Sequence, residues 1–170
     1  MAARSDLLFA AEVSVRYHRR RATFLDRANL ALTLATLVAG GGAFVSLFGD
    51  SNRFAKWAAL VVSGISLIQL VYTPQACAVQ HRQWLREWLQ LLQEIRSTPD
   101  PTEAQLRQWI TTRYRVEGEC VGEMRALQAD CYNKAVAALD KSNEHNYRIR
   151  WWHRALGQVI SFENGFNPGT

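Results

Sequence analysis

At 170 residues and 19.3 kDa the chain can hold one domain, or a membrane hairpin with a small soluble part, and a large multidomain enzyme is excluded. Lys and Arg number 20 against 15 Asp and Glu, and the net charge of +5 points to an anionic partner such as lipid or a nucleotide. Cys77, Cys120 and Cys131 are odd in number and form no CxxC pair, which argues against a disulfide framework or zinc knuckle and for a reducing compartment.

The chain opens on a basic helix. Ser5 can cap it, Phe9, Val13, Tyr17 and Phe24 recur near helical spacing, and no Gly or Pro interrupts it, so residues 1–27 are expected to run unbroken into the segment that begins at residue 28. Residues 28–49 and 57–81 contain no Asp, Glu, Lys or Arg, although the whole-chain mean hydropathy of −0.17 hides this. Each run supplies the roughly 20 helical residues that a bilayer core of about 30 Å requires. The polar loop between them, from Asp50 to Lys56, makes them antiparallel, so residues 28–79 read as a two-transmembrane helical hairpin. The competing reading is two buried helices of a soluble bundle, where apolar stretches of about 10–14 residues are the norm. Arg4, Arg16, Arg19, Arg20, Arg21 and Arg27 before the first span, and Arg82, Arg86 and Arg96 after the second, outnumber Arg53 and Lys56 in the loop. Both termini are therefore expected in the cytoplasm, with Phe54 and Trp57 as interfacial anchors at the far tip.

In the first span Asn29, Thr33, Thr36 and Gly40 fall within about 60° on one helix face, and in the second Ser66, Gln69 and Thr73 likewise fall within about 60°. These stripes either line a water path or hydrogen-bond between packed spans. Ala31, Ala35, Ala39 and Ala43 form a separate small-residue face for close helix packing. A single hairpin encloses no water path, so a pore requires a closed ring of copies, for which four is the working number. Pro74 frees the carbonyl of Leu70 and is the candidate gating position, a plain helix-end proline being the alternative. Gly40, Gly41 and Gly42 read as a packing notch, a bend or a hinge.

Residues 80–163 are read as a helical stalk and small helical domain. Trp84, Leu85, Trp88, Leu91, Leu92 and Ile95 repeat at three and four until the Ser97 to Pro101 segment breaks the helix. Thr102 with Gln105 forms a capping box for a helix bearing Leu106, Trp109, Ile110 and Tyr114. A joint at Glu117 to Gly122 precedes a helix with Met124, Leu127, Cys131, Ala135 and Leu139, and Ile149, Trp152, Leu156 and Ile160 mark another. Whether these stripes pack within the chain or between copies is open. Residues 164–170, rich in Gly and Pro, form a loose tail. The fold class is all-α and homo-oligomeric.

Two cationic segments stand out. Arg16, Arg19, Arg20 and Arg21, with Tyr17 and His18, surround one helix beside the first span. They either bind lipid headgroups and set topology, or converge between copies on a phosphate-bearing ligand. Arg148, Arg150, Trp151 and His153 interleave cations with rings able to stack on bases, against the alternative of an amphipathic helix on the membrane surface or the domain core.

The residues Tyr17 to Arg21 before a two-span hairpin, and the later run Met124 to Lys134 with its Cys131, Tyr132 and Asn133, resemble the SLATT family, two-transmembrane effector domains of nucleotide-signalling bacterial defence systems. The matched parts cover about residues 8–160. The resemblance implies an oligomeric pore of the bacterial inner membrane, multi-pass, that damages the membrane of an infected cell under a nucleotide or oligonucleotide signal from a nucleotidyltransferase partner. No Walker loop, GxSxG, HExxH or dinucleotide fingerprint is present, so no catalysis, cofactor or metal is expected. His18, His81, His145 and His153 lack metal-ligand spacing. A non-conducting membrane anchor that recruits a signalling partner is the alternative function, and a soluble nucleic-acid-binding bundle a third.

Overall fold

The computed structural model describes residues 2–46, 52–120, 124–140 and 146–158. It contains α1 (Ala2–Ser46), α2 (Asn52–Tyr72), α3 (Pro74–Ser97), α4 (Glu103–Glu119), α5 (Arg125–Ala138) and α6 (Trp151–Leu156), and no strand among the described residues. Asp50 and Ser51 of the expected loop, residues 121–123 of the expected joint, His145, Ile160 and the tail lie outside the described residues. The loop is shorter than expected, because Asn52 to Lys56 already belong to α2. The chain divides into two compact units, one of Met1–Arg21 with His81–Thr170 and one of Ala22–Gln80.

In the first unit the core forms on a stripe of α1 with a spacing of four, Leu7, Ala11 and Val15, packed with Trp84, Trp88, Leu91, Leu92 and Ile95 of α3 and with Trp109 and Val116 of α4. The α3 stripe thus packs within the chain. On α1 the fully buried set is shifted from the one expected: Phe9 and Val13 are half-buried, and Phe9 meets the Tyr132 ring edge-on at 5.1 Å. On α4, Ile110 and Tyr114 are exposed while Trp109 and Val116 turn inward, the Trp109 indole N–H donating to Glu94 at 3.1 Å. Arg4 closes the carboxyl end of α3, its Nε donating to the Thr98 carbonyl at 3.0 Å and its Nη2 to that of Ile95 at 2.8 Å, which satisfies carbonyls that have no partner within the helix. Thr102 and Gln105 open α4 with the expected capping box. A second buried cluster joins Tyr17 of α1 to Leu127 and Cys131 of α5.

The helix expected to include Ile149 begins only at Trp151. The Asn133 side chain holds Tyr147 by both backbone groups, donating to its carbonyl at 2.7 Å and accepting from its N–H at 2.8 Å, and Arg150 is extended at φ −68°, ψ 154°. After α6, a Cβ at Gly157 would lie 2.5 Å from the His153 carbonyl oxygen and 3.0 Å from the Ala126 Cβ, so close packing requires glycine there.

The second unit comprises the rest of α1, all of α2 and the first turns of α3. Among the described residues one helix, Lys56–Ser97 counted through Thr73, is long and apolar enough to cross a membrane, with an 18-residue window of mean hydropathy 1.5 of which 11% is buried. The charge-free run of α1 reaches beyond the described residues. Leu37, Val38, Leu70 and Val71 are all at least 70% exposed, and a Cβ at Gly40, Gly41 or Gly64 would meet nothing within 4 Å. At Gly40 and Gly41 the helix face is therefore open, with no packed neighbour among the described residues, and α1 continues through both without a break.

Candidate functional site

Within the second unit a cleft of about 710 Å³ is lined by Asn29 and Thr33 from α1, Gln69 from α2, Thr73 and Pro74 at the helix break, and Gln75, Ala76 and Val79 from α3. It gathers four residues of the two polar stripes, together with the candidate gating proline, and no charged side chain lines it. Asn29 and Gln69 bring amide groups that both donate and accept. Thr36, Gly40 and Ser66 are not among its lining residues. The Thr33, Thr36 and Ser66 hydroxyls donate to the carbonyls of Asn29, Leu32 and Val62 at 2.9, 2.9 and 2.8 Å, so each is satisfied by its own helix.

The wall of the cleft contains the sharpest backbone feature of the unit. Thr73 has φ 35°, a left-handed conformation that costs a β-branched residue on the order of 1–3 kcal/mol. Pro74 lacks the N–H that would continue the helix, and its ring disfavours helical geometry at the preceding residue. The two conditions fall together: α2 ends at Tyr72 and α3 starts at Pro74. Helical bonding spans the break through Thr73 N–H to the Gln69 carbonyl at 3.1 Å and Cys77 N–H to the Thr73 carbonyl at 3.2 Å.

The first cationic segment belongs to the other unit and is distributed among separate internal partners. Arg16 pairs with the buried Glu12 at 3.2 Å, and Glu12 also pairs with Arg96. The Tyr17 hydroxyl accepts from the Met124 N–H at 3.0 Å. Arg19 is exposed, Arg20 pairs with Asp130, and the buried Arg21 donates to the Gln158 carbonyl. Asp130, 3% exposed, also takes Lys134 at 3.0 Å and Arg154 at 3.2 Å. Burial alone would raise its carboxyl, but hydrogen bonds and charge from Arg20 and Lys134 outweigh this and hold it below the usual range. Burial raises the neighbouring Cys131 thiol, leaving it a protonated core group.

His18 is buried on α1 and faces His81 on α3, with the two Nδ1 atoms 2.9 Å apart. One ring must donate and the other accept, so the neutral pair uses two different tautomers. Tyr17 and Trp84 pack around the pair at ring-centroid distances from 5.2 to 6.2 Å. Burial, then the charge each would feel from His81 and Arg21 respectively, lowers His18 to about 3 and His81 to about 4. Both residues lie outside the proposed spans of residues 28–79.

In the second cationic segment Arg148 and Arg150 are exposed, Trp151 is 80% exposed, and His153 is buried against the half-buried Trp152 at 3.6 Å between ring centroids. Among the described residues no group of three or more His, Cys, Asp or Glu is placed to hold a metal. The partners that the cationic residues use, Glu12, Asp130 and His81, are not evident from sequence motifs. An acid standing within or beside a buried four-residue stripe, as Glu12 and Asp130 do, is the signal that could have marked them.

The class these features define is an all-α chain carrying a helix long and apolar enough to span a membrane, with a neutral polar cleft in its apolar unit. The chain matches no family model, no curated protein and no solved structure.

Proposed function

We propose that the chain is a homo-oligomeric pore of the bacterial inner membrane. In this reading residues 28–79 form a two-span hairpin, both termini are cytoplasmic, and about four copies close a ring around the water path. The observation that carries it is the meeting of Asn29, Thr33, Gln69 and Thr73 in one cleft of a unit that also exposes large apolar side chains such as Leu37, Val38, Leu70 and Val71. An intramembrane amide is costly unless it meets water or a partner. The open faces at Gly40, Gly41 and Gly64 leave room for neighbouring copies at close range. The resemblance to SLATT proteins supports a role in anti-phage defence, with the pore under the control of a nucleotide signal from a nucleotidyltransferase partner.

A non-conducting membrane anchor is the second reading, favoured by the three hydroxyls that bond back to their own helices and so need no water. Planar-bilayer recording of the purified chain separates the two. The pore conducts, and Thr33→Trp or Gln69→Leu cuts its current several-fold. Full conductance in both variants removes the cleft from the path, and absence of current in the unaltered chain leaves the anchor.

A further inference from the structure

The geometry points to a second membrane contact, in which Arg148, Arg150 and Trp151 seat in an anionic lipid headgroup layer. The inference rests on the proposed reading that the charge-free helices cross a bilayer. The segment that carries these residues is fastened at both ends. Asn133 grips both backbone groups of Tyr147, whose ring also meets Tyr132 at 5.2 Å. At the other end Gly157 is packed against Ala126, Arg21 donates to the Gln158 carbonyl, and Arg154 pairs with Asp130.

The outward face is unlike the rest of the segment. Trp151 is 80% exposed although the adjacent Trp152 and His153 turn inward. An indole prefers an interface that takes its ring into an apolar layer and leaves its N–H in water, which is where Trp is enriched in membrane proteins. Arg148 and Arg150 are exposed and form no ion pair among the described residues, in contrast to Arg16, Arg20, Arg96 and Arg154. No Asp or Glu occurs from residue 146 to 158, so the face is complementary to an anionic surface. Its anchor, Arg21, stands seven residues before residue 28, where the charge-free run begins in the sequence. A nucleotide would leave its base with one exposed ring, since Trp152 and His153 are turned inward, whereas a headgroup layer needs only cations and an interfacial ring.

The test uses the full chain in nanodiscs of phosphatidylcholine with and without phosphatidylglycerol, carrying a nitroxide on the lipid headgroup. The Trp151 signal is the fluorescence difference between the unaltered chain and Trp151→Phe, and an unchanged melting temperature shows that the exposed substitution leaves the fold intact. Headgroup quenching of that signal is expected to be several-fold stronger with phosphatidylglycerol, and to fall to the phosphatidylcholine level in Arg148→Ala/Arg150→Ala. Equal, weak quenching in both lipids, with free access of aqueous acrylamide, overturns the proposal. So does a Trp151 signal that responds to a short oligonucleotide, through Arg148 and Arg150, and not to lipid charge. A chain that stays in solution without lipid or detergent fails the membrane-spanning reading instead, a result visible before any quenching is measured.

Discussion

Asp130→Ala is expected to destabilise the unit built around Trp88 by about 3 kcal/mol, measured by denaturant unfolding in detergent. The carboxylate is 3% exposed and serves Arg20 of α1, Lys134 of α5 and Arg154 of α6. Its removal leaves the partly buried Arg20 guanidinium without a counter-charge and unlinks three helices at one point. The loss stays at the low end for a buried ion pair, because the cations left behind, 36% to 58% exposed, regain water once the acid is gone. Arg107→Ala provides the contrast. It breaks a pair with Glu103 in which both side chains are more than 70% exposed, and a change of less than about 0.5 kcal/mol is expected. Equal effects of the two substitutions would show that Asp130 is solvated like any surface acid.

The His18 and His81 pair predicts a fall in stability with acid, in a window set by its lowered pKa values. In the unfolded chain each histidine titrates near 6.5, whereas in the fold His18 titrates at about 3 and His81 at about 4. Between these limits the unfolded state binds protons that the folded state refuses, so the contribution is fully present above about pH 6.5 and is lost as pH falls through about 4 for His81 and about 3 for His18. The groups facing the pair are Tyr17 and Trp84, with the cationic Arg21 adding its field at His81, and none of them offers a counter-charge to an imidazolium. The melting temperature in detergent should drop by about 5 °C or more between pH 7 and pH 5, and His81→Gln, which keeps a polar partner for His18 but does not titrate, should flatten that drop. Parallel curves for the two proteins would mean that the pair is solvated in the folded state.

Much of the architecture is legible in the sequence because it is local. Charge-free runs, the Thr102 and Gln105 capping box, the Ser97 to Pro101 break and the Trp84 to Ile95 stripe each depend on residues a few positions apart. The polar stripes are local too: four- and three-residue spacing puts Asn29 with Thr33, and Gln69 with Thr73, on one face of each helix, but that the two faces line one cleft is tertiary and is not contained in the spacing. What spacing cannot reveal is partnership across the chain. His18 finds His81 63 residues away, Arg20 finds Asp130 110 away and Arg21 finds Gln158 137 away. A helix that reads as arginine on every side consequently becomes a set of separate internal contacts. The start of α6 is equally hidden, because a side chain on α5, Asn133, keeps Tyr147 out of the helical conformation.

The central claim is that the apolar unit crosses a bilayer as a hairpin with its tip on the far side. With the three native cysteines replaced by Ala, single cysteines placed at the exposed positions Lys56 and Gln93 can be challenged in spheroplasts with a membrane-impermeant maleimide. Lys56→Cys is predicted to be labelled in intact spheroplasts and Gln93→Cys only after lysis. Protection of both until lysis, or recovery of the chain in the aqueous fraction without detergent, would contradict the hairpin and the pore built on it.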